Sequence, residues 1–273
     1  MLMRLLMSPD NFPIQGILID MDGVLYHGNE PIEDAFAFLE SIADIPHCFI
    51  TNNPIKLPEQ VIVKMVNLGF PPPDIGQIIT SGEATAQWLN LQKPDFRYYA
   101  IGADGFHQSL RKYGKEDCED ADFVVVGEGA GIDYESLSVA INLIMKCQAK
   151  LVSTNPDNTV DARRGGDHWI LPGGGALVAP IVNATGVEPI TIGKPYPLLY
   201  EMALKHMNLS AHDCLMIGDR PDTDIQGAAN IGMKTALVRT GRFLPSEKYP
   251  DNLHKPNIDI NSLTELIELI QIQ

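Results

Sequence analysis

Two aspartates at the end of a short apolar run are the first residues in this chain that could carry out chemistry. Asp20 and Asp22 follow the aliphatic residues 17–19 in the stretch GILIDMDGVLYHG, residues 16–28. Because they alternate with Met21, their side chains start on the same side of an extended backbone. Two close carboxylates raise each other's pKa unless a cation lies between them. The pair therefore points to a metal or catalytic site, although Asp22-Gly23 is also a common turn dipeptide.

Three more polar clusters follow short apolar runs further along the chain. They are Thr51 with Asn52, Lys194 after Gly193, and Asp219 with Asp224. The carboxyl ends of parallel strands converge on one edge of a sheet, so these clusters can share one pocket. Carboxylates for a hard divalent cation, a hydroxyl and an amide for phosphate oxygens, and a lysine are the groups that phosphoryl transfer needs.

Each cluster also has a purely structural interpretation. Thr51, Asn52 and Asn53 could form an Asx-type turn before Pro54. Lys194 could lie in a solvated loop. Asp219 and Asp224 could cap the following helix and occupy its first turn, a role that contributes about 1 kcal/mol. The joint occurrence of all four clusters favours a site.

The elements that must position these residues alternate regularly. Apolar runs predict strands that begin at residues 16, 47 and 78, and amphipathic patterns predict helices at residues 31–43 and 58–68. A third block predicts strands at residues 190–193, 214–219 and 235–238, with helices at 197–207, 224–231 and 262–270. Strands that alternate with helices indicate an α/β fold with right-handed crossovers and a parallel sheet.

Between these blocks the alternation begins again at residue 82, and the total number of strands is too large for one sheet. An inserted second domain at residues 82–189, within a first domain of residues 1–81 and 190–273, accounts for the pattern.

The bulk composition indicates a soluble globular protein and excludes some partners. The chain of 273 residues is 45% hydrophobic and carries a formal net charge of -15. A strongly acidic chain without a basic run does not suit nucleic-acid polymers, and no apolar run is long enough to span a membrane. Because the residues MLMRLLM at the start also lack a signal-peptide pattern, we expect a cytoplasmic protein. The four scattered cysteines predict free thiols.

The order and wording of the motifs resemble the haloacid dehalogenase (HAD) superfamily of phosphohydrolases. DMDGVLYHG is similar to the first motif of that family, TNN to the second, GKP to the third and GDRPDTDIQGAANIG to the fourth. The segments TNPD and LPGGGALV resemble its IIA subclass, which includes p-nitrophenyl phosphatase and nucleotide monophosphatase enzymes with a C2-type cap. The resemblance implies a Rossmann-like, doubly wound core with an inserted α/β cap.

The resemblance also implies a mechanism, a phosphomonoester hydrolysis through an aspartyl-phosphate. Asp20 would be the nucleophile and Asp22 the general acid and base. Mg²⁺ would be held by Asp20, the backbone carbonyl of Asp22 and Asp219, and Asp224 would order a water on the metal. Thr51 and Asn52 would donate hydrogen bonds to phosphoryl oxygens, and Lys194 would neutralise charge.

The inserted segment would cover the site and supply contacts to a small phosphorylated metabolite, such as a nucleotide monophosphate or a sugar phosphate. Asn155 and Asp157 are candidates for substrate binding, but their turn chemistry is an equal alternative. Arg163 and Arg164 form the only cationic pair of the segment, and a solvated loop is the preferred interpretation. A homodimer through the cap is also implied.

A second class of function uses the same residues. A phosphate-binding or phospho-acceptor regulatory module would keep the pocket and turn over little. Asp22 argues against this alternative, because a module that needs only a phosphorylatable aspartate has no use for a second acid beside it.

Overall fold

The computed structural model describes residues 6–7, 13–164 and 167–272. The chain forms two compact units. The first unit comprises Met1–Thr51, Ile62–Ile79 and Tyr200–Gln273, and the second comprises Asn52–Val61 and Thr80–Leu199. The predicted domain boundaries, at residues 81/82 and 189/190, remain predictions.

The first unit is built on a six-stranded sheet. In order across the sheet, its strands are Ile258–Ile260, Lys234–Val238, Cys214–Gly218, Gly16–Asp20, His47–Thr51 and Ile78–Thr80. The four pairings from Ile258–Ile260 to His47–Thr51 are parallel. Gly16–Asp20 is buried along its whole length, as expected for a strand covered on both faces.

Helices of the first unit agree with the periodicity of the sequence to within a few residues. They are Glu33–Ser41, Gln226–Asn230 and Leu263–Leu269, together with the 3-10 turns Ile75–Gln77 and Ala211–Asp213 and the π-helical turn Pro221–Ile225. The helices Pro58–Asn67 and Leu198–Met207 begin in the second unit and continue into the first. Two small antiparallel sheets lie in the same unit. One pairs Tyr26–His27 with Glu30–Pro31, and the other pairs Leu6–Met7 with both Pro13–Ile14 and Gln271–Ile272.

The second unit has a parallel sheet of its own. Its strands, in order across the sheet, are Ile190–Thr191, Lys150–Ser153, Phe123–Val126, Arg97–Ile101 and Lys115–Glu116. Its helices are Ser81–Gln92, Asp104–Arg111, Tyr134–Cys147 and Gly174–Thr185. Parallel sheets with helices between their strands confirm the predicted α/β class.

Two predictions about the second unit were wrong. The strand predicted at residues 190–193 was assigned to the core sheet, but Ile190–Thr191 pairs with Lys150–Ser153. The solvated loop predicted around Arg163 is instead the antiparallel hairpin of Thr159–Arg164 with Asp167–Pro172. The side chains of Arg163 and Arg164, and residues 165–166, lie outside the described part of the chain.

Two further predictions can be compared with the described residues. All four cysteines are free, with Cys48 and Cys214 buried and Cys118 and Cys147 exposed. No helix in the described ranges has the length and apolar character needed to cross a bilayer.

Candidate active site

A cluster of three carboxylates lies at one edge of the sheet of the first unit. Asp20 is the last residue of its strand, and Asp219 directly follows the neighbouring strand Cys214–Gly218. These strands are parallel, with Ile217 opposite Ile19, so both aspartates emerge at the same edge. Together with Asp224, they offer carboxylate oxygens that all lie within 4.8 Å of one another. The structure thus brings Asp20 and Asp219 together, as the sequence predicts.

Asp219 is a buried carboxylate with a strongly raised pKa. It is 3% exposed, and burial raises its pKa well above the usual range, with further increases from Asp20 and Asp224. The Arg242 backbone N–H donates a hydrogen bond to Oδ2 over 2.6 Å, which acts in the opposite direction. Oδ1 is buried and has no hydrogen-bond partner among the described residues. A buried carboxylate oxygen of this kind suits a hard cation.

Asp224 reaches the cluster through an irregular turn. It lies in the π-helical turn Pro221–Ile225, where the helix predicted from residue 224 has not yet become α-helical. Its Oδ2 accepts the backbone N–H of Arg220 over 3.1 Å. Gly218 permits this approach, because a Cβ at that position would collide with the Asp224 side chain. Asp224 therefore stands with the other two carboxylates, and its predicted role in ordering a water on the metal remains a prediction.

Asp22 does not join this group of three. Its side chain is 54% exposed, and Oδ1 lies 3.8 Å from Nζ of Lys64. Lys64 also lies over the ring of Tyr26, 3.4 Å from the centroid, a cation–π contact. Burial, followed by the charges of Asp22 and Asp20, raises the pKa of Tyr26. The sequence did not single out Lys64, because nothing in a helix pattern indicates which charged residue faces another element.

Thr51 and its two neighbours have different environments. Thr51 ends the strand His47–Thr51 and is buried. Asn52 and Asn53 belong to the second unit. Oδ1 of Asn53 accepts the backbone N–H of Ile55 over 2.9 Å, the Asx-type turn that was the structural alternative for this segment.

Lys194 is buried in the second unit and bound through its backbone to Asn52. It is 3% exposed, which excludes the solvated-loop interpretation. Its N–H donates to Oδ1 of Asn52 over 2.7 Å, and its carbonyl accepts Nδ2 of Asn52 over 3.0 Å. Its peptide bond to Pro195 is cis.

Asn155 and Asp157 belong to the same unit and are also buried. Oδ1 of Asn155 accepts the N–H groups of Asp157 and Gly174, over 3.1 and 3.2 Å. Nδ2 of Asn155 donates to the Asn52 carbonyl and to Oε1 of Glu128, both over 2.8 Å. The geometry of Asn155 is that of the turn alternative. Oδ2 of Asp157 accepts a hydrogen bond from Nδ2 of Asn52 over 2.9 Å.

Comparison with known proteins gives the same family that the motifs indicate. A family model described as haloacid dehalogenase-like hydrolase matches residues 17–116, and a second HAD-hydrolase-like model matches residues 191–266. The chain is 39% identical to 5'-nucleotidase YutF of Bacillus subtilis over 94% of its length and 98% of that protein.

Two further relatives are similar over nearly their whole length. The chain is 35% identical to an acid sugar phosphatase of Staphylococcus saprophyticus, with coverage of 93% of this chain and 97% of that one. A crystal structure of a 4-nitrophenylphosphatase from Thermotoga maritima superposes with a TM-score of 0.84 at 28% identity, covering 94% and 98%. The chain therefore belongs to the haloacid dehalogenase-like hydrolase family and is an enzyme of its phosphatase type.

Proposed function

We propose that this protein is a Mg²⁺-dependent phosphomonoester hydrolase that acts on small phosphorylated metabolites through an aspartyl-phosphate intermediate. The observation that carries the proposal is the cluster of Asp20, Asp219 and Asp224 at the carboxyl edge of a parallel sheet. Three buried carboxylates with oxygens within 4.8 Å of one another are unfavourable unless a cation offsets their charge. The same position is where open α/β sheets bind ligands.

The donor set of this cluster fits magnesium. All three groups are buried carboxylates, and Mg²⁺ prefers oxygen ligands of this kind. When bound, Mg²⁺ would supply positive charge that offsets the carboxylates and polarises a phosphoryl oxygen. We assign Asp20, Asp219 and Asp224 to hold it, and the backbone carbonyl of Asp22 remains a predicted fourth ligand.

We assign the two displacements to Asp20 and Asp22. A carboxylate oxygen of Asp20 attacks phosphorus, the bond from phosphorus to the ester oxygen breaks, and Asp22 gives its proton to the departing oxygen. Asp22 then removes a proton from water, which attacks phosphorus and releases phosphate from Asp20. The half-exposed position of Asp22 supports this role, since an acid that exchanges protons with leaving group and water requires access to both.

Phosphate binding is assigned to Thr51 and Lys194. A buried hydroxyl and a buried ammonium group are suited to the oxygens of a phosphoryl group, which carry most of the negative charge. Lys194 supplies a local positive charge in a chain whose net charge of -15 would otherwise repel an anionic substrate.

Small soluble phosphate esters are the proposed substrate class. Relatives named 5'-nucleotidase and acid sugar phosphatase support nucleoside monophosphates and sugar phosphates as first candidates. Asp157 remains a proposed substrate-binding residue, whereas the side chain of Asn155 is already occupied by four hydrogen bonds. Phosphate release from a panel of such esters would rank them.

The test of the activity uses p-nitrophenyl phosphate with Mg²⁺ or with EDTA, and the variant Asp20→Asn. We expect Mg²⁺-dependent turnover by the wild type and loss of turnover in the variant. Equal, slow release by both proteins would exclude hydrolysis at this site. A phospho-protein that forms and then persists would instead favour the regulatory alternative.

A cytoplasmic location and a homodimer through residues 82–189 also remain proposals. Four free cysteines support a reducing compartment. Sedimentation of the purified protein at several concentrations would test the dimer, with a single monomeric species as the contradictory result.

A further inference from the structure

We infer that the side chain of Asn52 is a positioning group that fixes Lys194 and Asp157 relative to each other, and that it is not a phosphate donor. The inference rests on the proposed function, because it concerns the support of a lysine assigned to phosphate. It replaces the role that the family resemblance implies for this side chain. All the residues on which it depends lie in the second unit.

The Asn52 amide makes a two-point contact with the backbone of one residue. Oδ1 accepts the Lys194 N–H over 2.7 Å, and Nδ2 donates to the Lys194 carbonyl over 3.0 Å. Contacts to both backbone groups of one residue fix its position and the direction in which its side chain leaves. A lysine side chain loses much rotamer entropy when it is ordered, so a fixed origin reduces the cost of placing its ammonium group.

The same amide also holds an acidic side chain. Nδ2 donates its second hydrogen to Oδ2 of Asp157 over 2.9 Å. A primary amide has only two N–H groups, and here one points to Lys194 and the other to Asp157. Donation to a phosphoryl oxygen would therefore require one of these bonds to break.

The orientation of the amide follows from its partners. If the oxygen and nitrogen of Asn52 were exchanged, the nitrogen would face the Lys194 N–H, and the oxygen would face a carbonyl and a carboxylate. Every contact would then be repulsive. The partners therefore determine which atom of the Asn52 amide is the oxygen and which is the nitrogen.

The surroundings of Asn52 leave it no freedom to turn away. Its carbonyl oxygen accepts hydrogen bonds from Nδ2 of Asn155 over 2.8 Å and from Oγ of Ser81 over 2.6 Å. A Cβ on Gly193 would lie 2.7 Å from Oδ1 of Asn52 and 2.8 Å from Cβ of Asn155. Glycine at position 193 is therefore what allows the chain to pass close enough for the next residue, Lys194, to meet the amide.

The decisive experiment exchanges the amide and the carboxylate between positions 52 and 157. Asn52→Asp keeps an acceptor for the Lys194 N–H, but it removes both donors and places a second carboxylate against Asp157. We expect kcat/KM for p-nitrophenyl phosphate to fall about 30-fold. In the double variant Asn52→Asp/Asp157→Asn, the introduced amide can donate to the introduced carboxylate. We expect the kcat/KM of that variant to exceed by at least about fivefold the value expected from the separate losses of Asn52→Asp and Asp157→Asn, a comparison that removes any contribution of Asp157 to substrate binding.

Asn53 provides a matched control one residue away. Its side chain accepts the Ile55 N–H, and the variant Asn53→Asp keeps that acceptor while changing the charge by the same amount. We expect its kcat/KM to stay within about threefold of the wild type. A loss equal to that of Asn52→Asp would mean that added negative charge alone is responsible, and it would overturn the inference.

A second cycle keeps the test informative if the exchanged protein does not fold. Asn52→Ala, Lys194→Ala and their double variant are compared, with thermal unfolding as the folding check. If Asn52 acts through Lys194, the double variant is no more than about threefold worse than Lys194→Ala. Fully multiplicative losses in both cycles would establish that Asn52 acts independently of Lys194 and Asp157, and they would overturn the inference. Inactivity of the wild type would refute the proposed function instead.

Discussion

Asp219 of the first unit and Glu83 of the second are both buried carboxylates, but their pKa values are shifted in opposite directions. Burial and the neighbouring Asp20 and Asp224 raise the pKa of Asp219. Burial also opposes ionisation of Glu83, yet hydrogen bonds from Lys112, Gln87 and Tyr113, over 3.0, 3.2 and 2.9 Å, outweigh it and lower the pKa.

The difference distinguishes Glu83, a carboxylate with a structural role, from Asp219, a carboxylate that we assign to ligand binding. Glu83 finds its compensating charge inside the protein, because Lys112 lies beside it. Asp219 faces two more carboxylates, and Arg220 and the Arg242 N–H offset them only in part, so we assign the remaining compensation to the proposed cation. A buried acid by itself therefore says little about function, and the sign of the neighbouring charge carries the information.

The largest expected difference between the two residues is in catalysis. Asp219→Asn removes a carboxylate that we assign to the cation, and kcat/KM for p-nitrophenyl phosphate should fall by roughly 10²–10³-fold. Glu83→Gln removes the same charge from the second unit and should change kcat/KM by no more than about threefold. Both are measured at saturating Mg²⁺. Comparable losses would show that the contrast in environment does not mark the functional site.

The two variants should also differ in the sign of their effect on stability without metal. In EDTA, Asp219→Asn relieves repulsion in the cluster, and its amide can still accept the Arg242 N–H, so Tm should rise by roughly 2–4 °C. Glu83→Gln removes the nearer carboxylate of Lys112 and leaves only Oε1 of Glu59, 3.9 Å away, so Tm should fall by a similar amount. Thermal unfolding of both proteins beside the wild type checks the signs. A decrease for both would contradict the metal-site assignment.

The pH dependence of stability sharpens the same contrast. Because the pKa of Glu83 is lowered on folding, its ionised form stabilises the protein above the ordinary glutamate value, and this contribution is lost as pH falls through the lowered value. The wild type should exceed Glu83→Gln by about 1–2 kcal/mol in free energy of unfolding at pH 7. The gap should close as pH falls from the ordinary glutamate pKa through the lowered pKa of Glu83.

Glu188→Gln is the control for this pH experiment, since Glu188 is exposed in the same unit. Urea unfolding at several pH values measures both variants. The stability of Glu188→Gln should follow that of the wild type within about 0.5 kcal/mol across the range. A gap for Glu83→Gln that stays constant with pH would show that packing, and not charge, accounts for its loss.

The sequence predicted the carboxylate cluster well because its positions depend on a general rule. Asp20 and Asp219 follow two apolar strands, and adjacent parallel strands end at the same edge of a sheet. The assignment of residues 190–193 to that sheet was wrong, since a strand as short as Ile190–Thr191 has no pattern that tells one parallel sheet from another. The motifs occur in the order that the family resemblance implies, although the strand before the third motif belongs to the sheet of the second unit.

Three other features of the structure were not predicted from the sequence, and only one of them had a local sequence signal. The role of the Asn52 side chain is set by where the Lys194 segment runs, 142 residues later in the chain. The hairpin of Thr159–Arg164 with Asp167–Pro172 did have a signal, because Gly165-Gly166 between two runs is a turn dipeptide. Tyr200 carried none, since a tyrosine in an amphipathic helix is ordinarily a core residue.

The smallest predicted effect concerns this buried tyrosine, which contacts the backbone of the turn that carries Asp224. The hydroxyl of Tyr200 donates to the carbonyl of Thr223 over 2.8 Å, within the π-helical turn that carries Asp224. Tyr200→Phe should weaken the apparent affinity for Mg²⁺ by about 3–10-fold, because loss of one buried hydrogen bond loosens the turn. At saturating Mg²⁺, kcat should remain within about threefold of the wild type.

Calorimetric titration of the metal-free protein with Mg²⁺ measures this affinity without reference to turnover. Tyr134→Phe, at a tyrosine that is 90% exposed, controls for the loss of a hydroxyl and should bind Mg²⁺ as the wild type does. If Tyr200→Phe also binds normally, the π-helical turn holds Asp224 without this hydrogen bond. The contrast between the two buried carboxylates would then depend on the cluster alone, and not on the backbone that supports it.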